Sequence, residues 1–169
     1  MVCIARSKLA SAALTEANAT QQPLTIAIID MDHFKFINDR CGHATGDFVL
    51  REFARVGREA LRRSDVLGRW GGEEFLLVMP GANLEVAQAS LERMRTLVFG
   101  IQLPVSGAGL RVSVSAGLAT SFRHGRSLDE MIARADAALY IAKNEGRDLV
   151  RVADESFLST SGIRRALRQ

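Results

Sequence analysis

Four carboxylates stand out, in two tight pairs: Asp30-x-Asp32 in "IIDMD" and Glu73-Glu74 in "RWGGEEFLLV". Each pair borders an apolar run, "LTIAIID" (24–30) ahead of the first and "EFLLVM" (74–79) at the second. Carboxylates crowded at the mouths of buried strands repel one another, and burying one without compensation is costly. A divalent cation removes that conflict. An oxygen-only donor set suits Mg²⁺, which usually keeps substrate phosphates in its shell. The loop after Asp30 offers backbone N–H groups and Lys35, and Lys143 and Arg147 fall four apart at the end of a helical segment. Together these cations could hold a triphosphate. The competing reading is a charged hairpin tip with solvated glutamates. Asp30-x-Asp32 at the facing strand end favours the metal site.

The elements that must position these groups can be read in outline. Residues 24–30 form a short continuous apolar run with β-branched members, as a strand buried on both faces does. The stretch "MDHFKFINDRCGHATGD" has little periodicity and reads as a loop. From Thr45 to Arg63, Phe48, Val49, Phe53, Val56, Ala60 and Leu61 recur at helical spacing. "DVLGRW" (65–70) and "EFLLVM" (74–79) read as two strands joined at Gly71-Gly72, a tight-turn signal, with Pro80-Gly81 closing the second. Asn83 caps a helix to about Phe99, with Val86, Ser90, Leu91, Met94 and Leu97 on one face. "LPVSGAG" is a loop, and "RVSVSAGLAT" (111–120) starts with the alternation of a half-buried strand. Ser127 and Glu130 make a capping box for a helix to about Glu145, which Gly146 stops. "DLVRVA" (148–153) is a last strand, and the tail 154–169 is a helical turn or two, or disorder.

The order is β-α-β-β-α-β-α-β, and its first six elements make the split pattern of ferredoxin-like folds. The expected class is α+β: a ferredoxin-like βαββαβ core extended by a further helix and strand, with a mostly antiparallel sheet and flanking helices. In that topology the first and third strands lie side by side and antiparallel. Asp30 then meets Glu73 and Glu74 from a distant part of the chain.

The 169 residues fit one domain, with 47% apolar and 24% charged residues. Three divisions are expected: an N-terminal helical segment (1–23), a catalytic-type domain (24–153) and the tail (154–169). The net charge of +3 rests mostly on arginine, since the lysines are Lys8, Lys35 and Lys143 alone. That excess is too small and scattered for a nucleic-acid surface. No apolar run approaches the roughly 20 residues of a membrane span, and "MVCIARSKLASAAL" does not make an export signal. Cys3 and Cys41 read as reduced thiols, and His33, His43 and His124 show no zinc-ligand spacing. A cytoplasmic location is expected.

Four ordered blocks, "DMDHFKFINDRCGHATGD", "RWGGEEF", "VSVSAGLA" and "ARADAALYIAKNEGR", resemble the GGDEF domain of the diguanylate cyclase family across about residues 24–152. The signature here is Gly71-Gly72-Glu73-Glu74-Phe75. The resemblance implies a nucleotide-cyclase, palm-like fold and condensation of two GTP into cyclic di-GMP between two facing domains, hence a homodimer. It implies Mg²⁺, two ions per GTP, with Mn²⁺ as an alternative. Asp30 and Glu73 would be the metal carboxylates, with the Met31 carbonyl as a further ligand. Asn38 and Asp47 would read the guanine edge. The main chain of His33, Phe34 and Lys35, with the side chains of Lys35, Lys143 and Arg147, would bind phosphates. Glu74 would help deprotonate the attacking 3′-hydroxyl.

"RRSD" gives Arg62-x-x-Asp65, with five residues between it and Gly71, where the family carries an inhibitory site for its product, and Arg93 matches a supporting arginine. The bland reading of the same residues is a charged helix end facing the C-terminal dipole. Before its first strand the chain departs from the family pattern. A "DxLTGLxNRR"-like segment is replaced by "VCIARSKLASAALTEANATQQ". An upstream regulatory domain is expected beyond this sequence. The alternative function is a poorly active domain that senses cyclic di-GMP or GTP.

Overall fold

The computed structural model describes residues 2–104, 107, 109–121 and 127–153, with side chains from residue 10 onward. The tail 154–169 and His124 lie outside the described residues. The elements run α1 (Val2–Thr20), β1 (Leu24–Met31), α2 (Phe34–Cys41), α3 (His43–Ala60), β2 (Val66–Gly71) and β3 (Glu74–Pro80). Then come α4 (Leu84–Phe99), β4 (Val114–Thr120), α5 (Leu128–Asn144) and β5 (Val150–Val152). The sheet order is β2-β3-β1-β4-β5. Every pairing is antiparallel except the parallel edge pair β4–β5. The first four strands have the ferredoxin-like order, and α5 with β5 extends it by one further unit.

All eight residues of β1 are buried, because it is a central strand covered on both faces. Its alternation sorts the core into two halves. Ala27, Ile29 and Met31 pack with Phe53 and Val56 of α3 and Leu91 and Met94 of α4. Ile26 and Ile28 pack with Leu14 and Ala17 of α1 and Met131, Ala135 and Leu139 of α5. Asp30 shares the parity of Ile26 and Ile28, so it belongs to the α5 face. Helix α5 lies very close to the sheet there. A Cβ added at Gly117 would stand 2.0 Å from the Ala135 carbonyl oxygen. Only glycine lets α5 seat this deeply.

Several boundaries differ from the sequence reading. The stretch after β1 contains the helix α2, which buries Phe34 and Ile37. Two buried positions over eight residues, with Phe36 exposed, are too few to show a period. Helix α3 begins at His43 and stops at Ala60, where Leu61 turns extended. Strand β2 runs through Gly71, which pairs with Glu74 across a register shift, so the turn is Gly72-Glu73. Helix α4 buries Ala87, Ser90, Leu91, Met94 and Val98, while Val86 is exposed. The two capping residues behave as their spacing suggests. Asn83 accepts from the Val86 N–H, and Ser127 accepts from the Glu130 N–H.

Candidate active site

The β1–β3 ladder places Asp30 opposite Glu74. At the same end the Met31 N–H donates to the Glu73 carbonyl at 3.4 Å, tying the hairpin turn to the end of β1. A cross-strand pair of acids is unfavourable on its own. Lys143 on α5 partly answers it, with Nζ 2.9 Å from Asp30 Oδ2. The answer is incomplete. Burial pushes the Asp30 carboxyl above its ordinary range; Lys143 pulls it back, and Glu73 and Asp32 add to the rise. Glu74 is raised as well, first by burial and then by Asp30, with Asp136 and Glu73 contributing and Lys143 opposing. Asp136 lies two helical turns before Lys143 on α5. The sequence reading missed its part in this field, although the seven-residue spacing marks a shared face.

Of the phosphate candidates, Lys143 meets this corner directly and the start of α2 follows the end of β1 within a few residues. Helix α2 starts immediately after the β1 end, with His33 in left-handed backbone (φ 55°) and the Ile37 N–H bonded to its carbonyl. The amides of Phe34 and Lys35 therefore belong to a free helix N-terminus, which attracts anions. Lys35 and Arg147 are exposed, and neither forms an ion pair among the described residues.

Asn38 and Asp47 come from α2 and α3, which pack closely because residue 46 is glycine. A Cβ at Gly46 would stand 2.0 Å from Asn38 Oδ1. Asp47 is exposed and lines one end of a cleft of about 840 Å³ that continues past Arg51 and Arg58 to Arg62 and Asp65.

Asp32 does not join the other three carboxylates. It is 3% exposed and bound on every side. Its Oδ1 accepts from Ser115 Oγ at 2.7 Å. Its Oδ2 accepts from Ser113 Oγ at 2.8 Å and from the Asp148 N–H at 3.0 Å. A carboxylate so fully engaged has little capacity left for a cation.

The donor set that remains is Asp30, Glu73 and the Met31 carbonyl. Among the described residues no group of three or more His, Cys, Asp or Glu side chains is gathered as a metal cage. Two carboxylates whose charge Lys143 answers only in part still fit a hard cation that takes its other ligands from phosphate and water.

A family model described as "Diguanylate cyclase, GGDEF domain" matches residues 5–149. The chain belongs to this family. It is 42% identical over 130 residues to the diguanylate cyclase DgcP of Pseudomonas aeruginosa, covering 77% of this chain and 19% of DgcP. It is 43% identical over 136 residues to DgcM of Escherichia coli K12, covering 80% of this chain and 32% of DgcM. The chain thus spans less than a third of the length of these relatives. The GGDEF domain of DgcB from Caulobacter crescentus, solved in complex with c-di-GMP, superposes with a TM-score of 0.83 at 34% identity. That match covers 89% of this chain and 90% of the other. The active GGEEF domain of a diguanylate cyclase from Vibrio cholerae gives a TM-score of 0.85 at 29% identity, covering 92% and 99%.

In this GGDEF domain Arg62 and Asp65 meet each other. The Arg62 N–H donates to Asp65 Oδ2 at 2.9 Å, and Arg62 Nη2 to Oδ1 at 3.0 Å. The Asp65 side chain is fully covered. Arg93 reaches across from α4 and donates to the Ala60 carbonyl at the end of α3. The three residues therefore share one corner, and each already has a partner. Among the described residues no helix is long and apolar enough to cross a membrane.

Proposed function

We propose that this domain is a diguanylate cyclase half-site that holds one GTP and completes its reaction against a second copy. The observation that carries the reading is the placement of Asp30 opposite Glu74, with Lys143 at 2.9 Å and the N-terminus of α2 beside them.

The guanine end is assigned to Asn38 and Asp47. A carboxylate that accepts from the guanine N1–H and 2-amino groups disfavours adenine, which would leave it unpaired. The triphosphate is assigned to the amides of His33 to Lys35 and to the side chains of Lys35, Lys143 and Arg147. In the reaction the 3′-oxygen of one GTP forms a bond to the α-phosphorus of the other. The bond from that phosphorus to the bridging oxygen breaks, and pyrophosphate leaves with the electron pair. Two such steps give cyclic di-GMP and two pyrophosphates. Glu74 is assigned to take the 3′-hydroxyl proton. Its raised pKa makes it a better acceptor than an ordinary glutamate. Asp30, Glu73 and the Met31 carbonyl would hold Mg²⁺ (or Mn²⁺), which supplies charge neutralisation and polarisation at the α-phosphate.

The corner of Arg62, Asp65 and Arg93 is assigned to product. The Arg62–Asp65 pair presents a guanidinium and a carboxylate side by side, suited to phosphate and to guanine N–H groups. A ligand must open that pair to use both, so binding there competes with an interaction already made. This corner also favours the second reading, a weakly active domain that senses cyclic di-GMP. Incubation with GTP and Mg²⁺, with products separated by chromatography, distinguishes the two. The cyclase reading expects cyclic di-GMP. The sensor reading expects none, with cyclic di-GMP binding lost in Arg62→Ala.

A further inference from the structure

We infer that Asp32 is a positioning residue for the phosphate end of the site, acting through the turn that carries Arg147. The inference rests on the triphosphate assignment above.

Three consecutive residues after α5 have left-handed backbone: Gly146 (φ 119°), Arg147 (φ 65°) and Asp148 (φ 47°). Glycine adopts this region freely. Arginine and aspartate do so only against the steric clash of their Cβ with the backbone. Such a turn persists only where its surroundings impose it. Two contacts do so here, and both act on Asp148. Its N–H is held by the Asp32 carboxylate at 3.0 Å, and its side chain by Arg95 of α4, Nη1 to Oδ1 at 2.9 Å. Asp32 is itself fixed by Ser113 and Ser115. Its own N–H donates to the Ser113 carbonyl at 2.9 Å. The Arg147 N–H, meanwhile, bonds back to Ala142 at the end of α5. Arg147 is thus set between a helix end and a clamped residue, with an exposed side chain that pairs with nothing among the described residues.

The clamp explains why a carboxylate stands two residues after Asp30 yet stays out of the acidic corner. It also links two segments that bracket the phosphates: the β1–α2 junction and the α5–β5 turn. Without Asp32 the half-buried Asp148 N–H would lose its acceptor, and the strained turn would relax. Lys143, on the helix proper, would keep its place while Arg147 would not.

The test is a double-mutant cycle read by calorimetry. The probe is a GTP analogue with a methylene in place of the α,β-bridging oxygen, titrated with Mg²⁺ present; guanosine is the control ligand. Asp32→Ala is expected to weaken the analogue about tenfold, as Arg147→Ala does, the scale of one lost charge-assisted hydrogen bond. The double variant should bind within about twofold of Arg147→Ala alone, because both remove the same contact. Guanosine affinity should stay at the parent value. Asp32→Asn should restore most of the loss. Its amide oxygen can still accept from the Asp148 N–H, while its NH₂ faces Ser115, whose hydroxyl can turn to accept.

Parent-like analogue binding in Asp32→Ala, or losses that add in the double variant, would overturn the inference and leave the nucleotide site standing. Equal loss of guanosine would overturn it too, showing a general structural role. A parent that binds no analogue would remove the nucleotide reading itself and the inference with it. Should Asp32→Ala melt below the assay temperature, Arg95→Ala carries the same test. It frees the Asp148 side chain and should weaken the analogue severalfold without changing guanosine; parent-like binding there would overturn the inference.

Discussion

Two charged corners of this domain are built on opposite plans. At the β1–β3 end, Asp30, Glu73 and Glu74 converge with Lys143 as the nearby cation, and both Asp30 and Glu74 are pushed towards protonation. At the α3–β2 corner, Arg62 and Asp65 neutralise each other, and Arg93 is spent on the Ala60 carbonyl. The first corner holds charge that the protein compensates only in part. In the second, Arg62, Asp65 and Arg93 are internally satisfied. A corner left short of positive charge loses stability and gains affinity for a cation with its phosphates. A corner already paired binds only what can outcompete the pair.

The contrast breaks most visibly at Glu73. Glu73→Ala is expected to lower cyclic di-GMP formation by at least about a hundredfold, the scale of losing one charge-stabilising group at a reacting phosphate. Because Glu73 sits in the turn and is partly exposed, its melting temperature should stay near the parent's. Turnover assays and thermal melts on the same preparation check both halves. A large fall in melting temperature with retained turnover would reverse the two plans.

Arg62→Ala sharpens the other side. Affinity for cyclic di-GMP should fall about tenfold by calorimetry, while the initial rate, before product accumulates, should match the parent. An initial rate that falls with the affinity would mean the two corners are not separate.

The smallest effect is on stability. The folded-state pKa of Glu74 is raised above its ordinary value of 4.5. Its ionisation is therefore penalised by folding. The penalty is absent below the unfolded value, grows as pH climbs through the raised one, and is complete above it. Glu74→Gln should raise the melting temperature by about 1 °C at pH 7 and leave it unchanged at pH 4. The gain is small because Glu74 is partly open to water, which screens it. Asp30 carries a penalty of the same sign, offset in part by Lys143. Equal gains at both pH values would contradict the origin assigned to the shift.

The parts of this arrangement that sequence could reveal were those with local signals. "LTIAIID" announced a strand buried on both faces, and strand order then brought Asp30 to Glu74. Asn83 and Ser127 marked helix starts through side chains that act within three residues. Helix α2 escaped because eight residues with two buried positions, Phe34 and Ile37, leave no period to read. The turn slipped by one residue because Gly71 still pairs with Glu74 past an irregular step after Arg69. Spacing alone groups Asp32 with Asp30. Its actual partners, Ser115 and Asp148, lie 83 and 116 residues away. The serines of "VSVSAG" read as the polar side of a half-buried strand, and nothing local tells a solvated hydroxyl from one that donates to a buried carboxylate.

On the proposed function, the acidic corner holds a cation and a guanosine triphosphate for phosphoryl transfer. Purified protein incubated with GTP and Mg²⁺, beside Glu73→Ala and a metal-free sample, tests it most directly, with products resolved by chromatography. Cyclic di-GMP and pyrophosphate are expected from the parent, at least about a hundredfold less from Glu73→Ala, and none from the metal-free sample. Folded parent protein that yields no cyclic di-GMP, or a Glu73→Ala protein that forms it at the parent rate, would contradict the account.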